Sequence, residues 1–433
     1  MTEKTATKAV VLVFPCGTEI GLEIHRAMCQ STHVTLIGAS SVTSNHGAHV
    51  FAHYIDDVPY VDDPAFVPHL NALVQQHAVD YIFPAHDDAA TALSRHEPEL
   101  GCTVIGSPLE TCTLCRSKSA TYARFSELLP VPKLYSPDAG ELPFPLFVKP
   151  DAGQGSHGAR QVNSLQTLAA ARSEDPTLIV MEYLPGTEYT VDCFTDRHGA
   201  LRFIGPRERI RTVNGISVHT RTVSLDKEIS RFAETINETL TLRGAWFFQL
   251  KRNAAEALTL LEIAPRVSGG MGLYRNLGVN LPLLSVYDRV GLDLEIRPPK
   301  GELEMDRALA ASFRSDLKYT HVYIDLDDTL LHDDKVNVMA VAFLHQCRNE
   351  GKQLHLLTRH KADVEATLAK YGISQLFDFV SPLLDGESKA SRVRYKDAIF
   401  IDDSYSERCE VQDVTGIPVF APDAIESLMD WKH

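Results

Sequence analysis

The sequence predicts a multidomain chain that joins α/β and α+β architecture, and three observations carry that expectation. Short β-rich runs alternate with helical stretches over residues 1–115. Strand-like runs then follow one another without long crossovers through residues 116–300, and a second β/α alternation begins at residue 319. Alternation predicts a parallel sheet with helices on its faces, whereas adjacent strands predict antiparallel sheet.

The first domain, 1–115, carries AVVLVF (9–14), a helix from about Ile20, HVTLIG (33–38), a helix near 65–77, YIFPA (81–85) and CTVIG (102–106). Parallel sheets place ligands beyond the carboxyl ends of their strands. Here those ends hold Pro15-Cys16-Gly17-Thr18 and Pro84-Ala85-His86-Asp87-Asp88. The second domain, 116–300, contains FPLFVKP (144–150), TLIVMEYL (177–184), YTVDCFTD, ALRFIG, AWFFQLKRN and LTLLEIAPR, with a lid subdomain over about 120–190. IRPPKGELE (296–304) reads as the exit to a linker at 301–318. The last domain, 319–433, alternates HVYIDLDDT (321–329), KQLHLLT (352–358), FDFVSPLL (377–384), DAIFIDDS (397–404) and IPVFAP (417–422).

Composition narrows the class. The 433 residues are 44% hydrophobic and 23% charged, enough to bury several cores, and no apolar run reaches the roughly 18 residues of a membrane helix. The N-terminal MTEKTATKAV passes into a strand-length apolar run rather than a signal-peptide core, which points to the cytoplasm. Eight cysteines scattered through a long chain point to reduced thiols, and the lone Cys112-x-x-Cys115 reads as a coincidence on a helix rather than zinc ligation. A formal net charge of −15 without a basic stripe excludes nucleic acid as a general partner. Any phosphate must be held locally, by glycine loops, single lysines and a divalent cation.

Gly153, Gly155 and Gly158 form a G-x-G-x-x-G after a strand, with Glu182 some distance on. A dinucleotide site would require a helix to open at once, and would suggest an oxidoreductase. The following Ala159-Arg160-Gln161-Val162 reads as extended instead, so a hairpin lid over a polyphosphate is expected, with the helix starting near Ser164. Lys149 ends the strand entering this loop, and Lys118 lies on a helix upstream, two point charges suited to a triphosphate. Met181-Glu182-Tyr183-Leu184 offers an apolar wall for a purine, and Glu188 follows at a distance suited to a ribose. Gln249 and Glu262 sit on two runs joined by Asn253-Ala254-Ala255-Glu256, so a hairpin would let them face one another as oxygen ligands for Mg²⁺. Arg207, Arg209 and Arg211 alternate along a strand face, either lining an acceptor pocket or facing solvent.

These motifs, in this order, resemble the ATP-grasp superfamily over about residues 8–295, nearest its carbamoyl-phosphate-synthetase-like and amino-acid-ligase branches. The resemblance implies a Rossmann-like domain ahead of the ATP-grasp fold. It implies that Lys118 and Lys149 bind ATP phosphates, that Glu182, Tyr183 and Leu184 meet adenine, and that Glu188 meets ribose. Gln249 and Glu262 would ligate Mg²⁺, for which Mn²⁺ can stand in, and Arg266 with Ser268-Gly269-Gly270 would hold the carboxylate or acyl phosphate. The chemistry implied is ADP-forming ligation of a small carboxylate to an amine or other nucleophile. Many relatives carry Asn two residues after the metal glutamate, and this chain has Ala264 there, which removes a ligand from a second metal site. The same scaffold also supports kinases.

In the last domain, Asp325-Leu326-Asp327-Asp328-Thr329 and Asp402-Asp403 both close apolar strands. Carboxylates gathered at one sheet edge repel unless a cation holds them. The D-x-D-x-T, the Leu-Leu-Thr ending at Thr358 and Ile-Asp-Asp-Ser resemble the haloacid-dehalogenase-like superfamily, with a three-layer α/β fold. That resemblance implies Asp325 as nucleophile, Asp327 as general acid/base, Thr358 as a phosphate donor, and Asp325, Asp327, Asp402 and Asp403 around Mg²⁺. Lys389, at the start of a short helical run, is the expected lysine rather than Lys396. The spans from Thr329 to Thr358 and from Thr358 to Lys389 are too short for a cap domain. The expected whole is a ligase fused to a phosphohydrolase acting on a phosphorylated substrate, unless the last domain only docks, with a homodimer left open.

Overall fold

The run AVVLVF forms the strand Ala9–Phe14, and its alternate residues enter two separate cores: Val11 and Val13 one, Leu12 and Phe14 the other. A strand buried on both faces must be central. In the structure, a computed structural model that describes residues 8–137, 141–153, 158–297, 301–384 and 386–432, it pairs in parallel with Val34–Ala39 and Tyr81–Pro84. His53–Ile55 and Thr103–Val104 add the outer strands, also parallel. The chain divides into two compact units, one ending at Leu309 and one spanning Ala310–Lys432. No helix among the described residues is long and apolar enough to cross a membrane.

Two antiparallel sheets complete the first unit. One orders Leu134–Tyr135, Leu178–Glu182, Leu146–Pro150 and Arg160–Val162. The last two strands make the hairpin around the glycine loop, and the next helix, Leu165–Glu174, starts only after a Ser164/Thr167 capping box. Gly153 and Gly158 therefore open no helix among the described residues, which removes the structural context of a dinucleotide fingerprint. The other sheet has six strands: Leu258–Ala264, Gly244–Arg252, Glu188–Thr195, Leu201–Val213, Ile216–Thr222 and Glu304–Asp306. The helix Lys227–Thr239, capped by Asp226, buries Ile229, Phe232, Ala233 and Ile236 in a core shared with Trp246 and Phe248 of this sheet.

The expected linker 301–318 holds the last of these strands. Glu304, Met305 and Asp306 pair with Arg221, Thr220 and His219, and ion pairs from His219 to Glu304 and from Arg211 to Asp306 fix the edge. With three residues, two of them acidic, this strand is too short and too polar to show in the sequence.

The second unit has a five-stranded parallel sheet in the order Phe379–Pro382, Gln353–Thr358, His321–Ile324, Ala398–Ile401, Val419–Phe420. Val322 and Ile324 pack on one side with Phe343 and Leu344 of the helix Val338–Asn349. Tyr323 and Phe400 pack on the other with Val411 of the helix Tyr405–Thr415. The described residues between Thr329 and Thr358, and between Thr358 and Lys389, form the small hairpin Leu331–His332/Lys335–Val336 and elements of these layers.

Candidate active sites

The first unit encloses a cavity of about 430 Å³ lined from the carboxyl edge of its parallel sheet and from both antiparallel sheets. Lys149 reaches it from the strand Leu146–Pro150 and is 9% exposed. Burial pulls its pKa down to about 8 against the charge of Glu262, and neighbouring Lys118 pulls further down. Its Nζ donates to the Tyr122 hydroxyl at 2.8 Å, and that hydroxyl donates to the Leu261 carbonyl at 2.7 Å. Lys118 opens the helix Lys118–Phe125, whose N-cap Ser117 accepts from Ala120 N–H. Its Nζ donates to the Gly153 carbonyl at 3.1 Å and, at 3.4 Å, to that of Asp151. Burial would raise the Asp151 carboxyl, but hydrogen bonds from Ser117 and Ser119 and the charge of Lys118 hold it low. The loop and helix are thereby tied where the two ammonium groups meet the cavity. Gly158 adopts φ +72°, which favours glycine, and Gly155 lies outside the described residues.

Met181, Glu182, Tyr183 and Leu184 line the opposite wall. Glu182 exchanges backbone and side-chain bonds with Lys133: its N–H donates to the Lys133 carbonyl at 2.9 Å, and Lys133 N–H donates to Glu182 Oε2 at 3.3 Å. Glu188 bridges two cations, Arg209 at 2.8 Å and Lys251 at 3.4 Å, so its carboxylate is engaged before any ribose arrives.

Strand register orders the floor. Arg207 pairs with Thr190, Thr190 with Gln249, and Gln249 with Glu262, one row across four strands, and all four residues line the cavity. At roughly 5 Å per strand, the backbones of Arg207 and Glu262 stand about 15 Å apart in this row, with Gln249 beside Glu262 at one end. Gln249 and Glu262 suit a hard cation beside a phosphate. Ala264 offers no oxygen to add to them, in keeping with a single ligand pair.

Arg266 is committed differently from what the resemblance implies. Its Nε and Nη2 donate to the two carboxylate oxygens of Asp87 at 2.7 and 2.6 Å, and its Nη1 donates to the Val267 carbonyl at 3.0 Å. The bidentate edge that would grip a substrate carboxylate is therefore occupied. Burial alone would lower its pKa, but Asp87 raises it. Asp87 comes from the first turn of the helix Asp87–His96, at the strand end singled out in the sequence, yet nothing local indicated its partner 179 residues away. Of the alternating arginines, Arg207 and Arg209 reach the cavity. Arg211 pairs instead with Asp306 at 2.8 Å, beyond a register shift after Arg209.

In the second unit, Asp325, Thr358 and Asp402 lie at the carboxyl ends of adjacent parallel strands. Asp325, Asp402 and Asp403 each offer an oxygen within 4.8 Å of the others, a donor set fit for a divalent cation. Lys389 Nζ lies 2.8 Å from Asp325 and 2.6 Å from Asp402. Lys396 instead donates to the Thr415 carbonyl. Burial pushes the Asp325 carboxyl up to about 7, with Lys389 pulling down and Asp402 pushing up. Thr358 is fully buried, its hydroxyl accepting from His360 N–H at 3.0 Å. Asp327 departs from the expected ligand set: its carboxylate is turned onto His360 Nδ1 at 2.8 Å and lies outside the cluster. That orientation suits proton transfer rather than metal ligation. His360 was not anticipated, although its place two residues after Thr358 put it at the same sheet edge.

Residues 174–308 match the family model described as "ATP-grasp in the biosynthetic pathway with Ter operon". No curated protein matches the chain in sequence. Among solved structures, the biotin carboxylase domain of Hydrogenobacter thermophilus 2-oxoglutarate carboxylase, in complex with MgADP, ADP and bicarbonate, is similar with a TM-score of 0.57 at 15% identity, over 67% of this chain and 72% of that one. N5-carboxyaminoimidazole synthetase from Staphylococcus aureus gives 0.55 at 15%, over 67% and 79%. L-amino acid ligase from Bacillus licheniformis gives 0.54 at 17%, over 68% and 78%. At such identities the likeness is one of fold, and it gives the chain an ATP-grasp fold across about 67% of its length.

Proposed function

We propose that the first unit is an ATP-dependent, ADP-forming ligase that activates a small carboxylate as an acyl phosphate and passes it to an amine or related nucleophile. The observation that carries this reading is the convergence of Lys118, Lys149, Gln249 and Glu262 on one cavity that is walled by the 181–184 segment. Lys149 and Lys118 hold phosphate oxygens of the nucleotide, and Mg²⁺ beside Gln249 and Glu262 supplies charge neutralisation. A carboxylate oxygen bonds to the γ-phosphorus as the bond to the β-bridging oxygen breaks and ADP leaves. The amine nitrogen then bonds to the acyl carbon, inorganic phosphate departs and the amine gives up a proton. Positioning and neutral charge balance provide most of the rate. The neighbours whose names include MgADP, bicarbonate and amino-acid ligation support this class of chemistry.

The second unit, on the same proposal, is a phosphohydrolase. An Asp325 oxygen bonds to phosphorus as the bond to the ester oxygen breaks, and Asp327 with His360 gives that leaving oxygen a proton. A water that loses its proton to the same pair then bonds to phosphorus, releasing inorganic phosphate and restoring Asp325. Lys389 and a cation between Asp325, Asp402 and Asp403 offset the gathered charge. The test is ADP release by the intact protein with Mg²⁺ against a panel of carboxylates and amines, alongside phosphate release from an aryl phosphate. Absence of ADP release across the panel overturns the ligase assignment, and absence of phosphate release overturns the hydrolase assignment.

A further inference from the structure

Arg207 is the most deeply placed cation of the cavity, 2% exposed, and its hydrogen bonds are incomplete. Nε donates to Asp192 Oδ2 at 2.8 Å and Nη2 to Ser268 Oγ at 3.1 Å, while Ser268 Oγ donates to Asp192 Oδ1 at 2.5 Å. Nη1 has no hydrogen-bond partner among the described residues. A buried N–H left unpaired costs about 1–3 kcal/mol, so an unpaired guanidinium nitrogen on a residue that lines the cavity is a donor a ligand can satisfy. The chain at Gly270 runs close against that guanidinium and leaves no room for a side chain. A Cβ on Gly270 would sit 2.6 Å from Arg207 Cζ, so any side chain there would cover the guanidinium. A Cβ on Gly269 would sit 2.1 Å from Glu19 Oε1, whose other neighbour is Arg307 at 2.6 Å.

Resting on the ligase reading above, we propose that Arg207, rather than Arg266, anchors a carboxylate of the small-molecule substrate. Arg266 spends its bidentate edge on Asp87, whereas Arg207 presents an unpartnered donor beside the side-chain-free Gly269-Gly270. Asp192 fixes the guanidinium plane from behind, so the ligand meets a preorganised donor and pays no rotamer entropy on that side. Two carboxylates could fill the subsite: the one that is phosphorylated, or a second, unreactive one on the acid or the amine.

The test uses the intact protein saturated with MgADP. Binding of acetate, glycine, succinate, aspartate and glutamate is followed by thermal shift and calorimetry. Arg207→Gln leaves Asp192 buried without its cation, so the double variant Arg207→Gln, Asp192→Asn is measured beside it, with MgADP affinity as the check that the cavity is intact. The expected result is that at least one acid binds, that its affinity falls tenfold or more in both Arg207 variants, and that Arg266→Gln retains it. Preference for succinate, aspartate or glutamate over acetate and glycine assigns the subsite to a second carboxylate; equal binding of acetate assigns it to the reacting one. Unchanged affinity in the double variant, loss confined to Arg266→Gln, or no acid binding to the MgADP-loaded protein overturns the proposal. Failure of the wild-type protein to bind MgADP would be a separate result, against the ligase reading itself.

Discussion

The two units build opposite electrostatics for what we read as the same ligand group, a phosphate. The cavity of the first is walled by Lys118, Lys149, Arg207, Arg209, Arg266 and Arg307, most of them already held by an acid or a carbonyl. The edge of the second gathers Asp325, Asp402 and Asp403, with Lys389 against two of the carboxylates. The first can take an anion directly; the second repels one until a cation arrives. The difference fits the proposed division of labour, in which a triphosphate brings several charges to neutralise, whereas an attacking carboxylate must itself stay anionic beside a phosphate.

The largest expected effect separates the two sites. Asp325→Asn removes the nucleophile, so phosphate release from an aryl phosphate should fall by at least about a thousandfold while ADP formation is unchanged. Equal loss of both activities would mean that one site serves both. Next in size is the converse. Lys149→Ala should lower ATP turnover by roughly a hundred- to a thousandfold, since a preorganised cationic donor inside a dry cavity is worth several kcal/mol, with aryl phosphatase activity intact.

A pH profile sharpens the contrast within the first site. Lys149 has its pKa lowered from 10.5 to about 8 by burial, so it is cationic below that value. Because kcat/KM for ATP reports the free enzyme, it should fall by about eightfold between pH 7.5 and 9. Stability moves the other way. The folded state binds fewer protons than the unfolded chain between about 8 and 10.5, so this group favours folding as pH rises through that window and disfavours it below. An ATP profile flat across that range would show that the lysine stays charged.

How much of this could be read from the sequence depended on how local the signal was. Lys149, Gln249 and Glu262 stand at strand ends or across a short hairpin, so period-two alternation and one turn place them. Asp325 and Asp402 close adjacent apolar strands for the same reason. The Asp87 grip on Arg266 and the turn of Asp327 onto His360 join residues 179 and 33 apart, and each depends on tertiary packing that no local period encodes. The edge strand Glu304–Asp306 was hidden because three residues, two of them acidic, carry almost no strand signal.

The smallest expected effect probes how the first cavity aligns its two kinds of group. Tyr122 lies four residues after Lys118, on the same face of its helix, and its hydroxyl links Lys149 Nζ to the carbonyl of Leu261, the residue before Glu262. One buried phenol thus ties Lys149 to the strand that carries Glu262. Tyr122→Phe keeps the ring and its packing but removes both bonds, leaving a buried ammonium short of an acceptor and a carbonyl short of a donor. Such orphaned groups cost about 1–3 kcal/mol, so the melting temperature should drop by a few degrees. If the phenol only stabilises the fold, ATP kinetics of the surviving folded protein will be those of wild type. If it aligns the lysine with the metal strand, KM for ATP should rise several-fold and the Mg²⁺ requirement with it, while the aryl phosphatase, which shares none of these residues, keeps its rate. A stability loss without any change in KM or Mg²⁺ titration would reduce Tyr122 to a packing residue.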